Sequence, residues 1–395
     1  MTELTAVTFS EVSVIAAALT ALLTGLSIIV LSLVWIERKF LGRIQGRVGP
    51  TRVGPFGLLQ PVADGIKLLF KEDASPAWAN KGIFWAAPLL IFIPSFVLWI
   101  TIPFSNDWVV RNLELGLFYF IAFSVLSIVG LVLAGWASAS KYAVLGGLRS
   151  AAQLVSYEIP LIMAILVVVM VAGSMNIVAV VSNQESVPYI AIMPLGFALF
   201  MLAGIAEVGR TPFDIYFAES EVVGGPFVEY SGAHWAVFFL AEYINTFLIA
   251  VMAALLFLGG WSWPFGDLPS LAGLALFMGK TYLVVVFIFW LRGTYPRLRI
   301  DQLMSIGWKV LLPLSFANIL IAAFQLFYGW PSWTLTLMSL GVLAVPVYFQ
   351  IRVQRQPAME RARMYAERAI AHRARRPIPE TGAVARTVTV KEPSA

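Results

Sequence analysis

The chain has 395 residues, of which 59% are hydrophobic and 12% are charged, with a formal net charge of +5 and a mean hydropathy of +0.83. A soluble domain carries about 25% charged residues, so the composition excludes a water-soluble globular protein and indicates a polytopic membrane protein. The absence of cysteine excludes disulfides, thiolate-held iron–sulfur clusters and cysteine-based zinc sites, and two histidines are too few for a histidine-rich metal site. Any electrons must therefore be carried by another chain.

Nine apolar runs are long enough, at about 20 residues, to cross a bilayer as helices. They are predicted near residues 13–36, 84–104, 117–137, 151–172, 190–208, 235–258, 271–291, 309–328 and 333–351. The first residues carry no basic region and no small-residue cleavage pattern, so we expect no removed signal peptide. Basic residues are concentrated after the first, third and seventh runs and in the tail. The positive-inside rule then predicts an all-α membrane protein with its N-terminus outside and its C-terminus in the cytoplasm.

The loop after the first run, residues 37–83, is the most polar part of the membrane domain. Twelve charges, eight of them basic, fall between Glu37 and Lys81, which is too much charge for the bilayer interior. Gly-Pro pairs at 49–50 and 54–55 predict sharp turns. The segment from Leu58 to Lys71 has apolar residues at helical spacing on one face, which predicts an amphipathic helix lying flat at the membrane interface. The alternative is an ordinary surface helix.

Acidic residues form the second feature. Residues 207–234, on the predicted positive side, hold five acids and one base, Arg210. Glu158 lies within the fourth run beside Pro160, and Glu242 lies early in the sixth. An ionised carboxylate near the bilayer costs several kcal/mol, so such residues face a bundle interior or a wet cavity. A row of such groups can pass protons, although each acid taken singly could be an ordinary interfacial charge.

A basic segment, Arg292 to Lys309, follows the seventh run. It could simply fix the topology, but Arg292 ends the run and could point inward to pair with the acidic loop. We divide the chain into a membrane domain, a basic surface segment and a disordered tail, which cover residues 1–351, 352–376 and 377–395.

Four motifs resemble one family in order along the chain. They are GPTRVGPFGLLQPVADGIKLLFKE from Gly49, SAAQLVSYE from Ser150, RTPFD with AESE and VEYSG from Arg210, and RGTYPRLRIDQLMSIGWKVLLPLS from Arg292. On these residues the chain resembles the H subunit, called subunit 1 in mitochondria, of the proton-pumping NADH:quinone oxidoreductase, respiratory complex I. The resemblance covers residues from about 10 to 328.

The resemblance implies a membrane subunit docked beneath a peripheral arm that holds flavin and iron–sulfur clusters. Quinone would be a substrate that enters a chamber in this subunit, and no flavin, iron–sulfur cluster or metal would belong to this chain. The implied partners are the iron–sulfur and quinone-site subunits of the peripheral arm, small membrane subunits, antiporter-like subunits and lipid, but not nucleic acid. The implied location is the bacterial cytoplasmic (inner) membrane rather than the mitochondrial inner membrane.

The family's functional residues carry over by motif. The quinone chamber would be lined or braced by Glu37, Arg38, Arg47, Asp64, Lys67, Phe227, Arg292 and Arg297. The acidic proton path would consist of Glu158, Glu207, Asp214, Glu219, Glu221, Glu229 and Glu242. Many family members carry an acid where this chain has the pair Tyr216-Phe217, so one loop carboxylate is absent here. We expect the aromatic residue to widen the apolar wall around the quinone instead.

Coupling of quinone reduction to this path would be electrostatic and would need a bistable element. The Gly- and Pro-containing segments 209–226 and 146–160 are candidates, since we expect neither to be a uniform helix. Two alternatives are left open: the closely related subunit of a membrane-bound hydrogenase or other donor:acceptor complex, and, in a different class, a stand-alone proton-coupled transporter. A transporter is expected to show internal repeats, and the halves show no convincing repeat. A pure scaffold would have no reason to tolerate intramembrane acids.

Overall fold

A computed structural model describes residues 9–106, 108–215, 219–266 and 268–354, together with Glu367. Within those residues the chain is all-helical. The α-helices in chain order are α1 (Phe9–Ile44), α2 (Gln60–Phe70), α3 (Lys81–Val97), α4 (Gly116–Ser124), α5 (Leu126–Ala137), α6 (Lys141–Ala172), α7 (Ile177–Ser182), α8 (Tyr189–Ile192), α9 (Pro194–Val208), α10 (Glu219–Val222), α11 (Gly232–Phe257), α12 (Ser270–Thr294), α13 (Ile300–Ile306), α14 (Leu312–Tyr328) and α15 (Ser332–Gln354). Short 3₁₀ turns lie at Pro55–Gly57, Leu98–Ile100 and Gly225–Phe227, and a π-helical turn at Gly307–Leu311 joins α13 to α14.

Each of the nine predicted apolar runs coincides with a helix. Among the described residues, seven helical stretches are long and apolar enough to cross a membrane, and two shorter apolar helices lie at Pro194–Val208 and Ser332–Pro346. An all-helical membrane protein is therefore confirmed. The count of nine spans and the orientation of the termini stay predictions.

The fourth predicted run differs from the structure at its start. Helix α6 begins at Lys141 rather than near residue 151. Its first ten residues include charges, which hydropathy assigns to a loop, so the prediction placed the start of the helix too late. The expectation that residues 146–160 are not a uniform helix was wrong, since they lie inside α6 and Pro160 is accommodated within it. Residues 209–215 and 223–231 contain only turns and one 3₁₀ turn, so this candidate for a mobile segment remains.

The amphipathic helix predicted over residues 58–71 is confirmed as α2 (Gln60–Phe70). The Gly54-Pro55 pair precedes this helix: Gly54 caps the 3₁₀ turn Pro55–Gly57, and Pro55 begins it. Gly57 has a φ of 77° and packs against Pro50, where a Cβ would lie 2.3 Å from the Pro50 carbonyl oxygen. Only glycine accommodates both that backbone conformation and that contact.

Helix α11 forms the centre of the bundle. It packs against α1, α2, α3, α9 and α12, and each of its residues from Phe247 to Phe257 is at most 3% exposed. A helix that is apolar on every side is stable only when neighbours surround it. The first half of α11 is less completely buried, and cavities adjoin it there.

The segment between α9 and α11 is held by two local features. Helix α9 ends at Gly209, whose φ of 68° is the left-handed conformation that closes a helix and turns the chain into Arg210. Further along, Gly225 lies against Gly146 of α6, so closely that a Cβ on Gly146 would be 2.4 Å from the Gly225 Cα. These contacts hold the acidic segment against α6, next to the start of α11.

The chain divides into two units by its internal contacts, residues 1–343 and residues 344–395. The second unit is described only through the end of α15 and at Glu367. The basic segment predicted over 352–376 and the disorder predicted over 377–395 therefore fall almost wholly outside the described residues, and both stay predictions.

Candidate functional site

A buried cluster of charges surrounds Glu37 near the end of α1. Its carboxylate pairs with Arg292 and accepts a hydrogen bond from the Tyr243 hydroxyl at 2.7 Å, and Arg210 lies 4.0 Å away. Arg210, only 4% exposed, also pairs with Glu242 at 3.2 Å. Burial alone would lower the pKa of the Arg210 guanidinium, but Glu242, together with Tyr243 and Glu37, raises it above its ordinary value. Two arginines and two carboxylates thus join α1, α11, α12 and the segment after α9.

A cleft of about 400 Å³, which we call the polar cleft, opens beside this cluster. Its wall includes Arg210, Glu242 and Arg292 from the cluster, together with Asp214 and Arg297. Asp214 is 7% exposed and pairs with Arg297 at 3.0 Å. The acidic segment therefore pairs with Arg297 through Asp214. Arg292 was the predicted candidate for pairing with this segment, but it pairs with Glu37 instead.

A second space of about 670 Å³, which we call the apolar cavity, lies between α1, α2 and α11. Most of its wall is apolar, and Lys67 and Lys71 line it on the α2 side. Arg38 of α1 pairs with Asp64 of α2 at 2.6 Å, and Gln60 donates to the other carboxylate oxygen at 3.1 Å. Because both partners are partly exposed, we expect this pair to contribute at most about 1 kcal/mol. Its effect is to hold α2 against α1 along the cavity.

Aromatic side chains connect the two spaces. Tyr230, Trp235 and Phe239 line both the apolar cavity and the polar cleft. On α11, Trp235, Phe239 and Tyr243 follow one another every fourth residue, which places them on one face of the helix. Their ring centroids are 5.1 Å and 4.6 Å apart, and the Arg210 guanidinium lies 4.4 Å from the centre of the Tyr243 ring. One aromatic wall therefore runs from the apolar cavity to the buried arginine.

Glu158 and Glu207 lie deeper in the bundle. Among the described residues neither forms an ion pair, and Glu158 Oε1 and Glu207 Oε2 are buried without a hydrogen-bond partner. Glu207 lines two small cavities. The near cavity, about 40 Å³, shares Phe227 and Glu242 with the polar cleft, and the far cavity, about 30 Å³, is lined by Ser124, which lies beside the Glu158 carboxylate. Glu242, Glu207 and Glu158 thus follow one another away from the polar cleft.

Three of the predicted site residues lie apart from these spaces. Arg47 is exposed and donates to the Gln45 side chain at 2.7 Å. Glu221 pairs with Arg149 of α6 at 2.6 Å and has a side chain that is 43% exposed. Glu229 is half-buried and lines neither the polar cleft nor the cavities described above. The structure therefore does not bring these three residues to the chamber or to the row of deep acids.

Three positions in the acidic segment remain undescribed. The side chain of Glu219 and the pair Tyr216-Phe217 lie outside the described residues. The expectation that Phe217 widens the apolar wall therefore stays a prediction, as does a place for Glu219 in the acidic path.

Sequence reasoning missed several residues that the structure brings to the site. Arg210 was noted as the single base among five acids and as part of a motif, but it was not included among the predicted site residues. Trp235, Phe239 and Tyr243 were also passed over. Their four-residue spacing on the same helix as Glu242 could have placed them on the face that carries the carboxylate.

The arrangement suits a long ligand with a polar head and an apolar tail. The buried Arg210 and the partly exposed Arg292 and Arg297 can stabilise a polar or anionic head in the polar cleft, while the apolar cavity can surround a hydrocarbon tail. Among the described residues, no group of three or more His, Asp or Glu side chains is placed to hold a metal ion.

Comparison with known proteins places the chain in a family. The family model described as NADH dehydrogenase matches residues 17–323. The H subunit of NADH-quinone oxidoreductase from Dehalococcoides mccartyi is 48% identical over 297 residues, which is 75% of this chain and 82% of the relative. The H subunit from Geobacillus kaustophilus is 50% identical over 288 residues, 73% of this chain and 86% of the relative, and that from Bacillus thuringiensis is 49% identical over the same length. Neither the hydrogenase nor the transporter alternative is favoured by these matches, and the chain belongs to the family of NADH-quinone oxidoreductase H subunits.

Proposed function

We propose that this chain is the membrane subunit of a bacterial NADH:quinone oxidoreductase that receives quinone and begins the path along which protons leave the quinone site. The observation that carries this proposal is the shared aromatic wall. Tyr230, Trp235 and Phe239 line both the apolar cavity and the polar cleft. A quinone tail fits the first space and its head fits the second.

The head group would meet a site prepared for negative charge. Reduction of a quinone requires two electrons and two protons and transiently places negative charge on its oxygens. Arg210 and Arg292 offer positive charge there, and because Arg210 is buried, its electrostatic interactions are stronger than in bulk water. Since both arginines are already paired with Glu242 and Glu37, new charge on the quinone competes with these carboxylates. That competition is the proposed link between quinone reduction and the acids.

The acids Glu242, Glu207 and Glu158 form the proposed start of the proton path. They lie successively farther from the polar cleft, and small cavities adjoin the first two. Asp214 lies on the cleft wall and pairs with Arg297, so it would take part at the quinone end. The proposed partners are the peripheral-arm subunits that deliver electrons and the neighbouring membrane subunits that receive the path, in the bacterial inner membrane.

Substitutions in the assembled complex test both halves of the proposal. We expect Glu158→Gln and Asp214→Asn to lower quinone-coupled turnover several-fold without preventing assembly, because each removes a group that can carry a proton. Glu185→Gln, which changes an exposed acid between α7 and α8, is the matched control. Normal coupled turnover in an assembled Glu158→Gln or Asp214→Asn complex would remove that residue from the path.

Arg38→Ala tests the quinone entrance separately. Loss of the pair with Asp64 should loosen α2 from α1 and raise the quinone concentration needed for half-maximal turnover. Arg43→Ala, one turn further along α1 and exposed, is the control. An unchanged quinone dependence in Arg38→Ala would count against the apolar cavity as the entrance.

A further inference from the structure

The polar cleft and the two small cavities form a series connected by shared walls. The near cavity meets the polar cleft at Phe227 and Glu242, and it meets the far cavity at four residues. Those four are Ser127 of α5, Glu207 and Val208 of α9, and Asn245 of α11. The boundary between the two cavities is thus one acid, one amide, one hydroxyl and one apolar side chain.

The volumes suit water. A cavity needs about 10–15 Å³ of accessible space to hold one water molecule, which also needs two to four polar partners. The near cavity, about 40 Å³, offers Glu242, Glu207, Asn245 and Ser127 as partners. The far cavity, about 30 Å³, offers Glu207, Asn245 and three serines. Each cavity therefore has room and hydrogen-bonding groups for one or two water molecules.

The hydroxyls of Ser127 and Ser124 can accept hydrogen bonds from such a water. It donates to the Ser124 carbonyl oxygen at 2.8 Å, and the Ser124 hydroxyl donates to the Ile121 carbonyl oxygen at 2.9 Å. A hydroxyl has one proton to donate and two lone pairs. While each hydroxyl donates to the backbone, its oxygen still has lone pairs with which to accept hydrogen bonds from water. The amide of Asn245 supplies both a donor and an acceptor, so it can donate to the same water and accept from it.

Glu207 has a buried carboxylate oxygen that lacks a protein partner. Its Oε2 forms no hydrogen bond with the described residues, although a buried acceptor without a donor is costly. A water in either cavity would donate to this oxygen. The same water in the near cavity would lie within reach of Glu242, which is paired with Arg210 on the side of the polar cleft.

We propose that Ser127 and Asn245 are positioning residues that hold bridging water between Glu242 and Glu207, and that protons cross from one acid to the other through this water. The step balances as a relay. Once Glu242 carries a proton, its carboxyl O–H bond breaks as that proton passes to the water, and the water gives a different proton to the Glu207 carboxylate. One proton moves, the water is restored, and no other reactant is needed. The far cavity and Ser124 continue the same route to Glu158.

This inference rests on the proposed acidic path, and its test separates the two. In the assembled complex, Ser127→Leu fills space in both cavities, and Asn245→Leu replaces the amide with an apolar group of the same number of heavy atoms and the same branching. The control is Val129→Leu on the same helix, where the side chain is 52% exposed on the outside of the bundle. NADH-driven proton translocation is measured in proteoliposomes together with quinone turnover. NADH oxidation by a water-soluble acceptor needs only the peripheral arm, so its rate per proteoliposome reports how much of that arm stays attached to the membrane subunits.

We expect Ser127→Leu and Asn245→Leu to lose coupled turnover about fivefold or more while oxidation with the water-soluble acceptor persists. Val129→Leu should match the unsubstituted complex. Ser127→Ala, which leaves the cavities open, should lose less than Ser127→Leu. Should Ser127→Leu reduce assembly, Asn245→Leu decides the outcome, because it keeps the number of side-chain heavy atoms.

Infrared difference spectra give a readout that a purely structural role would not change. The carboxyl band that disappears in Glu207→Gln is assigned to Glu207, and Asn245→Leu should shift it to higher wavenumber because the bridging water is lost. Normal pumping in both leucine variants with an unshifted band would overturn the relay. If Glu207→Gln is inactive in that case, the acidic path stands and only the relay fails. If Glu207→Gln also pumps normally, the proposed path fails with it.

Discussion

A single methyl group at Gly146 tests how the acidic segment is held over the bundle. A Cβ there would lie 2.4 Å from the Gly225 Cα, 2.8 Å from the Gly225 carbonyl carbon and 3.0 Å from the Pro226 nitrogen. Carbon atoms in good contact lie about 3.5–4.0 Å apart, so the Gly146→Ala methyl intrudes by about 1 Å. All three opposing atoms belong to the backbone and cannot turn away. We therefore expect the turn at Gly225–Phe227 to move away from α6.

The displacement should be visible in both stability and quinone use. Extra carbon in a packed interface costs about 1–3 kcal/mol, whereas Gly→Ala in a helix interior is otherwise favourable by roughly 0.5–1 kcal/mol. Phe227 ends the displaced turn and lines the polar cleft and the near cavity. Gly146→Ala should thus lower the thermal unfolding midpoint of the complex and raise the quinone KM several-fold.

Gly279→Ala on α12 is the matched control, because, apart from its chain neighbours and the nearby backbone of α12, no atom of the described residues lies within 4 Å of its added Cβ. Thermal unfolding of the purified complex and a quinone concentration series would be measured side by side. If Gly146→Ala and Gly279→Ala behave alike in both assays, the close approach of α6 to the acidic segment does not shape the chamber.

Two further predictions concern cations. Arg210→Met would leave Glu37 and Glu242 without their shared buried partner. Because breaking a buried pair costs about 3–5 kcal/mol, we expect little complex to assemble. Arg210→Lys should assemble better, and equal yields of the two variants on native gels would refute the argument. Lys280 donates to the carbonyl oxygens of residues 258, 260 and 263 at 2.5–2.7 Å. Lys280→Met should expose the segment after α11 to faster proteolysis, whereas Lys81→Met, at an exposed position, should not.

Helices were predicted well where neighbouring residues determine them, through apolar spacing and turn-forming residues. The period of apolar residues between Leu58 and Lys71, with Gly-Pro turns before it, located α2 to within two residues at each end. The start of α6 was missed by ten residues, because hydropathy detects the apolar part of a helix rather than its hydrogen bonding. Arg149 lies within α6 and reaches Glu221 in the acidic segment, and such a tertiary contact leaves no trace in the local pattern.

The site was predictable as a set of residue types and not as a set of contacts. Intramembrane acids are rare enough that Glu158 and Glu242 could be selected from sequence alone. Their partners could not be, since Glu37 and Arg292 are 255 residues apart along the chain and still form an ion pair. Acids that are close in sequence also separate in space: Asp214 lies on the polar cleft wall, whereas Glu221 is at the surface.

The acids fall into two groups, according to whether an arginine pairs with them. Near the polar cleft, Glu37, Glu242 and Asp214 each face an arginine. Deeper in the bundle, Glu207 and Glu158 have no such partner among the described residues, and ionising them there would cost several kcal/mol. Glu242 belongs to both groups, since it pairs with Arg210 and also lines the near cavity. A negative charge on quinone that draws Arg210 away would leave Glu242 in the environment of the deep acids. Glu242 is therefore the position at which a change in the polar cleft becomes a change in the acidic path.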